Sequence, residues 1–126
     1  MWGLPPAVHI YCFSDPVDLR KGPDGLRALI EKEKLDVYAG HLFVFIAKKP
    51  SRAKMLWWDG GGFVIWYKRL EKGCFKRPQK DTLDVIRIDA VQLSMLLDGI
   101  DLKRVNRPQK WIPKTSSPRA FLGSLL

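Results

Sequence analysis

The chain contains few of the side chains that build metal centres and catalytic sites. Its 126 residues include only two cysteines and two histidines. Cys12 and Cys74 are too few and too far apart in sequence for a disulfide framework, and we expect Cys12 to be a small buried residue. His9 and His41 lie in separate predicted strands, each without a partner at the spacing that pairs ligands on a helix. We therefore expect no metal site, no cofactor, and structural or surface roles for both histidines.

Long hydrophobic runs are also missing. The apolar run at residues 42–47 is far shorter than the roughly 20 residues that a membrane-spanning helix needs. Residues 1–6 lack the basic start and the long apolar stretch of a secretory signal. We expect a cytoplasmic protein that does not bind membranes.

Known catalytic motifs are absent as well. The three glycines after Asp59 are not followed by the Gly-Lys-Ser/Thr sequence of a phosphate-binding loop. The chain has no Gly-x-Ser-x-Gly nucleophile motif, and its carboxylates do not cluster as a small nuclease would require. Asp59 instead suits the tip of a hairpin turn. We expect a protein that is not an enzyme.

The composition is that of a folded protein with an uneven distribution of charge. Hydrophobic residues make up 46% of the chain and the net charge is +9. Residues 48–80 carry a net charge of +8 and residues 103–126 carry +6, whereas residues 1–47 carry −1 and residues 81–102 carry −4. Lysines that serve only solubility on solvated faces are one explanation of this distribution. The presence of two separate basic segments favours instead a polyanionic partner.

The hydrophobic pattern predicts an α+β fold. Strands are expected at residues 8–13, 41–46, 54–58, 63–70 and 82–88, and helices at residues 23–33 and 90–98, with Asp89 as the second N-cap and Gly99 ending that helix. We predict a small antiparallel sheet of four to five strands with two helices. Residues 1–104 are expected to form one domain, and residues 105–126 a basic, flexible tail.

The central segment interleaves basic and aromatic side chains. Alternation along an antiparallel sheet lets one face pack the core while the other presents charge. The predicted nucleic-acid-binding residues are Lys48, Lys49, Arg52, Lys54, Lys68, Arg69, Lys72, Lys76 and Arg77. The residues predicted to stack on bases or contact a partner are Trp57, Trp58, Trp66 and Tyr67, although simple packing also explains them. Trp57 and Trp58 must point in opposite directions, so one of them is expected in the core.

Motifs that read base sequence are not apparent. The chain has no paired-cysteine zinc finger and no clear helix-turn-helix, and the second predicted helix is acidic at both ends. Contact with the phosphate backbone through lysine and arginine is the prediction that remains.

Several segments resemble a known family. They are His41–Phe45, Lys54–Gly60 and Tyr67–Gly73, together with Asp18–Gly22 and Leu93–Asp101. They resemble the small accessory protein, often called TnpB or the second open reading frame product, of the insertion sequence sixty-six (IS66) family of bacterial transposons. The resemblance runs from about Gly3 to Arg104. Pro23 departs from it, since the family usually has an aromatic residue there, and the chain beyond Trp111 has no counterpart.

This resemblance implies a role in transposition beside a larger transposase that carries the catalytic carboxylates. Two hypotheses follow for the protein itself. In the first, it is a non-catalytic accessory that binds DNA, at the transposon ends, through its basic central hairpin and helps to assemble the transposase complex. In the alternative, it is an adaptor that docks the transposase or a host factor without touching DNA.

Overall fold

The computed structural model describes residues 8–78 and 84–102. The strands are β1 (Ile10–Phe13), β2 (Leu42–Ile46), β3 (Arg52–Trp58), β4 (Phe63–Arg69) and β5 (Val85–Ile88), and the helices are α1 (Pro23–Lys32) and α2 (Ala90–Leu97). A short 3₁₀ helix (Val37–Ala39) precedes β2. The α+β prediction is confirmed, whereas the predicted tail at residues 105–126 lies outside the described residues.

The five strands form one sheet in the order β4-β3-β2-β1-β5. The predicted antiparallel arrangement of β2, β3 and β4 is confirmed. The sheet is not wholly antiparallel, however, because β1 pairs with β2 in parallel, with Ile10 opposite Leu42. The connection between these two strands contains α1, as a parallel pair requires a long crossover. β5 then pairs with β1 in antiparallel orientation, so that β1 lies inside the sheet.

The two faces of the sheet pack against different helices. Alternate residues of each strand point to opposite faces. One face is mainly aliphatic, with Val44 and Met55 in the same buried cluster as Leu96 of α2. The other face is rich in aromatic residues, with Phe43 and Phe45 in the same cluster as residues of α1. The chain therefore has two core layers, one on each side of β2.

Helix α1 begins and ends close to the predicted positions. Pro23 lies in the first turn, where its missing N–H leaves no helical hydrogen bond unmade. Leu26 and Ile30 recur at helical spacing and are fully buried. The helix thus covers the aromatic face of the sheet, and the chain that precedes it runs along the end of that face.

Helix α2 has well-formed caps at both ends. The Asp89 side chain accepts from the Gln92 N–H at 2.7 Å, and the Gln92 side chain accepts from the Asp89 N–H at 2.9 Å. At the other end Gly99 has a φ of 78°, and the N–H of Ile100 donates to the carbonyl of Met95. This pattern is a Schellman cap, for which a left-handed glycine is favoured. The predicted roles of Asp89 and Gly99 are both confirmed.

The hairpin between β3 and β4 is closed by Asp59. One carboxylate oxygen of Asp59 accepts from the N–H groups of Gly61 and Gly62, both at 2.9 Å. Gly60 has a φ of 97°, a conformation that favours glycine. Asp59 therefore shapes the turn, as the sequence predicts.

Candidate nucleic-acid interface

An open cleft lies at the end of the sheet where β2 turns into β3. It has a volume of about 620 Å³ and is formed by the loop that follows β1, the β2–β3 turn and the adjoining parts of β3 and β4. Its lining residues, here called the basic cleft, are Pro16, Val17, Asp18, Leu19, Arg20, Ala47, Lys48, Lys49, Arg52, Lys54 and Tyr67. They include five lysines and arginines and one carboxylate. The basic cleft therefore has a local charge of +4, in a small part of the surface.

The wall of the cleft formed by residues 16–20 is anchored to the sheet. The N–H of Val17 donates to the carbonyl of Ile46 at 3.0 Å, and Val17 forms an isolated parallel bridge with Ala47. The Val17 side chain is buried with the aromatic core layer. Because one residue of this loop belongs to the core, the neighbouring Asp18, Leu19 and Arg20 are held at the rim of the cleft.

Lys54 connects the two walls of the basic cleft. It lies in β3 opposite Phe45, and its side-chain ammonium donates to the backbone carbonyl of Leu19. A hydrogen bond from a charged donor is among the stronger ones in proteins. Lys54 is thus engaged in holding the loop, and we assign it a supporting role beside the more exposed cations.

Asp18 and Arg20 form a compact ion pair on the loop. The carboxylate accepts from the Arg20 backbone N–H at 3.0 Å and from the guanidinium at 2.9 Å. The hydrogen bond from the Arg20 side chain, followed by that from its backbone, lowers the pKa of Asp18 to about 2. The carboxylate correspondingly raises the pKa of Arg20. The Arg20 side chain is 91% exposed, so it remains accessible to a ligand.

The opposite wall carries exposed cations on a turn and a strand. Lys48, Lys49 and Arg52 are all exposed. Arg52 lies directly opposite Arg69 in the β3–β4 register, and like charges in this position repel each other. Glu71 relieves Arg69 through an ion pair at 3.2 Å. Arg52 therefore presents its charge to the cleft beside a second cation.

The remaining predicted cations do not line the cleft. Lys68 lies on the other face of the sheet and donates to the carbonyl of Leu97 at 2.8 Å, at the end of α2, where a cation is favourable. Arg77 donates to the carbonyl of Ala47 at 2.8 Å and so stabilises the β2–β3 turn. Lys72 and Lys76 are exposed and lie outside the cleft. Four of the nine predicted cations, Lys48, Lys49, Arg52 and Lys54, are thus brought together in it.

The four predicted aromatic contacts lie in different surroundings. Trp57 is half-buried against the aliphatic core layer, and Trp58 packs edge-on against Tyr38 and Phe63. The prediction that Trp57 and Trp58 point apart is confirmed, and both are partly packed. Trp66 is 38% exposed on the α2 side of β4. Tyr67 is 53% exposed and is the member of this set that lines the basic cleft.

Arg20 and Asp18 were not among the predicted site residues. Both lie in the segment Asp18–Gly22, which the family resemblance singled out, but this segment has a net charge of only +1. Their place in the cleft depends on the parallel pairing of β1 with β2, which brings the loop after β1 beside the turn after β2. A local charge count along the chain cannot detect this proximity.

The expectation that His9 and His41 stand apart is wrong. Parallel pairing of the strands that follow them places their rings 4.9 Å apart. His41 Nδ1 accepts from the His9 backbone N–H at 3.0 Å, and His9 Nδ1 lies 2.9 Å from the Arg87 guanidinium. Burial, followed by the neighbouring His9, lowers the pKa of His41. Both Nδ1 atoms therefore have polar partners, which suits a structural role.

A second, smaller groove borders the same loop. It has a volume of about 190 Å³, and its lining residues, here called the acidic groove, are Phe13, Asp15, Pro16, Val17, Asp18, Lys21, Leu29, Lys32, Glu33 and Asp84. Four carboxylates and two lysines give it a local charge of −2. Within residues 8–78 and 84–102, no group of three or more His, Cys, Asp or Glu side chains is placed to hold a metal ion.

Fold and cleft together describe a small α+β protein with two core layers and a cationic surface cleft. The similarity of its sequence to known families shows to which family the chain belongs. The profile of the IS66 Orf2-like protein family matches residues 8–107. The chain belongs to this family.

Two relatives come from Sinorhizobium fredii. The uncharacterized protein y4jC is 38% identical over 109 residues, which cover 85% of this chain and 92% of the relative. The uncharacterized protein y4hO is 35% identical over 108 residues, which cover 84% and 90% respectively. No solved structure matches the chain.

Membership of the family associates the protein with transposition of IS66 insertion sequences, as the accessory product of the second open reading frame. The resemblance recognised in the sequence is thereby confirmed. Among the helices in the described parts of the chain, none has the length and apolar character needed to span a bilayer.

Proposed function

We propose that the protein is a non-catalytic transposition accessory that binds DNA through the basic cleft and helps to assemble the transposase on it. The observation that carries the proposal is the clustering of Arg20, Lys48, Lys49 and Arg52 around one concave surface. The carboxylate that shares this surface, Asp18, is already paired with Arg20. The remaining positive charge attracts a polyanion.

The cleft suits contact with phosphates. Lysine and arginine side chains that bind DNA phosphates release condensed counterions, so affinity depends strongly on salt. Lys54 and Val17 hold the two walls of the cleft together, which lowers the entropic cost of ordering them when a ligand binds. Base-sequence recognition is not part of the proposal, because neither α1 nor α2, the α-helices of the described residues, lines this surface.

A salt titration tests DNA binding. Fluorescence anisotropy with a labelled duplex is measured between about 50 and 200 mM salt. If Lys48, Lys49 and Arg52 each contact one phosphate, log affinity falls against log salt with a slope of about −2.7. A slope near zero, or no binding of either duplex or single-stranded DNA at about 50 mM salt, would contradict the proposal.

A role in assembly is tested separately with the transposase. Purified transposase and this protein are mixed with transposon-end DNA, and the complex is isolated before and after nuclease treatment. We expect the complex to dissolve with the DNA. The adaptor alternative predicts that it survives, and the exposed Trp66 on the edge strand β4 is the feature that favours that alternative.

A further inference from the structure

The basic cleft combines phosphate-binding groups with an exposed aromatic ring. Tyr67 lies in β4 directly opposite Lys54, and both residues line the cleft. The amine of Lys54 points to the Leu19 carbonyl, which leaves its hydrocarbon chain beside the tyrosine. Tyr67 is more than half exposed, and neither an aromatic ring nor a hydrogen-bond partner engages it among the described residues. An open aromatic ring of this kind is a platform on which a nucleobase can stack.

The positions of ring and cations match the two parts of a nucleotide. Lys48, Lys49 and Arg52 belong to the turn and to the first residue of β3, whereas Tyr67 belongs to the neighbouring strand. Phosphates held by the cations would therefore leave the attached base near the tyrosine. Arg52 and Arg69 repel each other across the two strands. A phosphate bound beside them offsets this repulsion, which favours its binding.

The cleft can meet the phosphates of a duplex but not its paired bases. Its volume of about 620 Å³ lies in the range of sites that enclose small ligands, about 300 to 1,000 Å³. Bases in a duplex are stacked and paired inside the helix, and reaching a protein pocket requires their extrusion. An unpaired strand exposes its bases without that cost. The combination of a cationic wall and an open ring therefore favours a single strand over a duplex.

We propose that the basic cleft binds single-stranded DNA, with one base stacked on Tyr67 and the flanking phosphates held by Lys48, Lys49 and Arg52. This inference rests on the proposed DNA-binding function and specifies its substrate. Single-stranded segments arise wherever a DNA end is opened during strand exchange. The protein would hold such a segment while the separate transposase acts on it.

Anisotropy with matched DNA tests the inference. The full-length protein is titrated with a labelled single strand of about ten nucleotides and with the duplex of the same sequence, at about 100 mM salt. We expect tighter binding of the single strand. In the salt titration its slope is about −2.1 for three phosphates, shallower than that of the duplex.

Substitution of Tyr67 separates stacking from charge. Tyr67→Ala is expected to weaken single-strand binding by roughly 5- to 160-fold, the range for loss of one base–aromatic stack, and to weaken duplex binding less, because paired bases do not reach the ring. Tyr67→Phe keeps the ring and is expected to retain single-strand affinity. Tyr67→Leu keeps an apolar residue in β4 but lacks a ring, so it is expected to behave like Tyr67→Ala. Circular dichroism melting confirms that each variant is folded.

The outcomes distinguish this inference from the proposed function. If Tyr67→Ala and Tyr67→Leu leave single-strand binding unchanged, or if the duplex binds more tightly, the inference is overturned while DNA binding stands. If neither DNA form binds, both are overturned. Retention by Tyr67→Phe together with selective loss in the other two variants supports the stacked single strand.

Discussion

The basic cleft and the acidic groove share Pro16, Val17 and Asp18, yet they carry opposite charge. The basic cleft adds two further residues of the same loop and residues of the β2–β3 turn, β3 and β4. The acidic groove adds residues from the end of β1, the loop that follows it, the C-terminal part of α1 and the position just before β5. A polyanion is attracted to one and repelled by the other. The difference shows that the placement of charge around one loop, more than the net charge of +9, directs a ligand to a particular surface.

Phe45 supports both the basic cleft and the acidic groove, so its removal should affect both surfaces. Phe45 is fully buried and its ring stacks on Phe13, which lines the acidic groove, while its strand partner Lys54 lines the basic cleft. Phe45→Ala is expected to lower the free energy of unfolding by about 3–5 kcal/mol, since it leaves a large cavity. Urea denaturation measures this loss. A loss below about 1 kcal/mol would show that the layer does not depend on this ring.

Neutralisation of the turn should reduce the difference in charge between the two surfaces. At about 0.1 M salt each phosphate contact contributes close to one logarithmic unit of affinity, so Lys48→Gln with Lys49→Gln is expected to weaken DNA binding by about 60-fold. The matched control is Lys32→Gln with Lys34→Gln, which removes the same charge from exposed positions at the end of α1. We expect less than about a twofold change there. Equal losses in both double variants, measured by anisotropy, would mean that only the total charge matters.

Asp18, the carboxylate that both surfaces share, allows a sharper comparison of the two surfaces. Asp18→Asn removes the negative charge of the basic cleft and frees Arg20, so DNA affinity is expected to rise by up to about eightfold at about 0.1 M salt. Glu33→Gln, which neutralises a residue of the acidic groove alone, is the control and should leave affinity nearly unchanged. An increase of the same size in both variants would contradict a local effect.

The pKa of Asp18 adds a test by pH. Because Arg20 lowers this pKa to about 2, the carboxylate stays ionised down to acidic pH. A lowered pKa stabilises the folded state above the ordinary pKa of 3.8, and this contribution is lost as the pH falls towards about 2. Between pH 8 and 5, Asp18 should therefore cause no change in DNA affinity, and the ratio between wild type and Asp18→Asn should stay constant. A ratio that changes with pH over this range would place the pKa much higher.

Substitution of Lys54 should have the smallest effect on DNA affinity. It should act through the structure of the loop rather than through the loss of a phosphate contact. Lys54→Met keeps the hydrocarbon chain and removes the donor to Leu19, so we expect a loss of about 1 kcal/mol in stability, near 4 °C in melting temperature. DNA affinity should fall as the loop loosens, while the slope of log affinity against log salt stays unchanged. A slope lower by about 0.9 would instead identify Lys54 as a phosphate contact.

Local signals predicted most of the fold because they arise within a few residues. The Asp59 turn, the capping of α2 by Asp89 and the period of Leu26 and Ile30 each depend on neighbours in sequence. The predicted strand near residue 54 in fact begins at Arg52, since pairing with Ile46 and Arg69 extends it into the basic turn. Hydrogen bonding to the neighbouring strands β2 and β4 therefore sets the first residue of β3.

The parallel pairing of β1 with β2 could not be predicted from hydrophobic patterns. The patterns indicate strands but not their neighbours in a sheet, so they do not predict the close approach of the His9 and His41 rings. The same pairing brings Arg20 to the basic cleft. For the site, the sequence identified a basic surface and its aromatic residues, while the assignment of individual cations depended on contacts between distant segments. Lys68 and Arg77 illustrate this, because each donates to a backbone carbonyl far away in sequence.

The interior position of β1 has a consequence for synthesis of the chain. β1 is the first of the five described strands to be made, but one of its two neighbours, β5, is the last of them. One edge of β1 stays unpaired through the translation of about seventy residues, and such an edge is open to mispairing with other chains. Completion of the sheet thus waits for β5, so the five strands should fold as one unit after the last of them has been made rather than segment by segment.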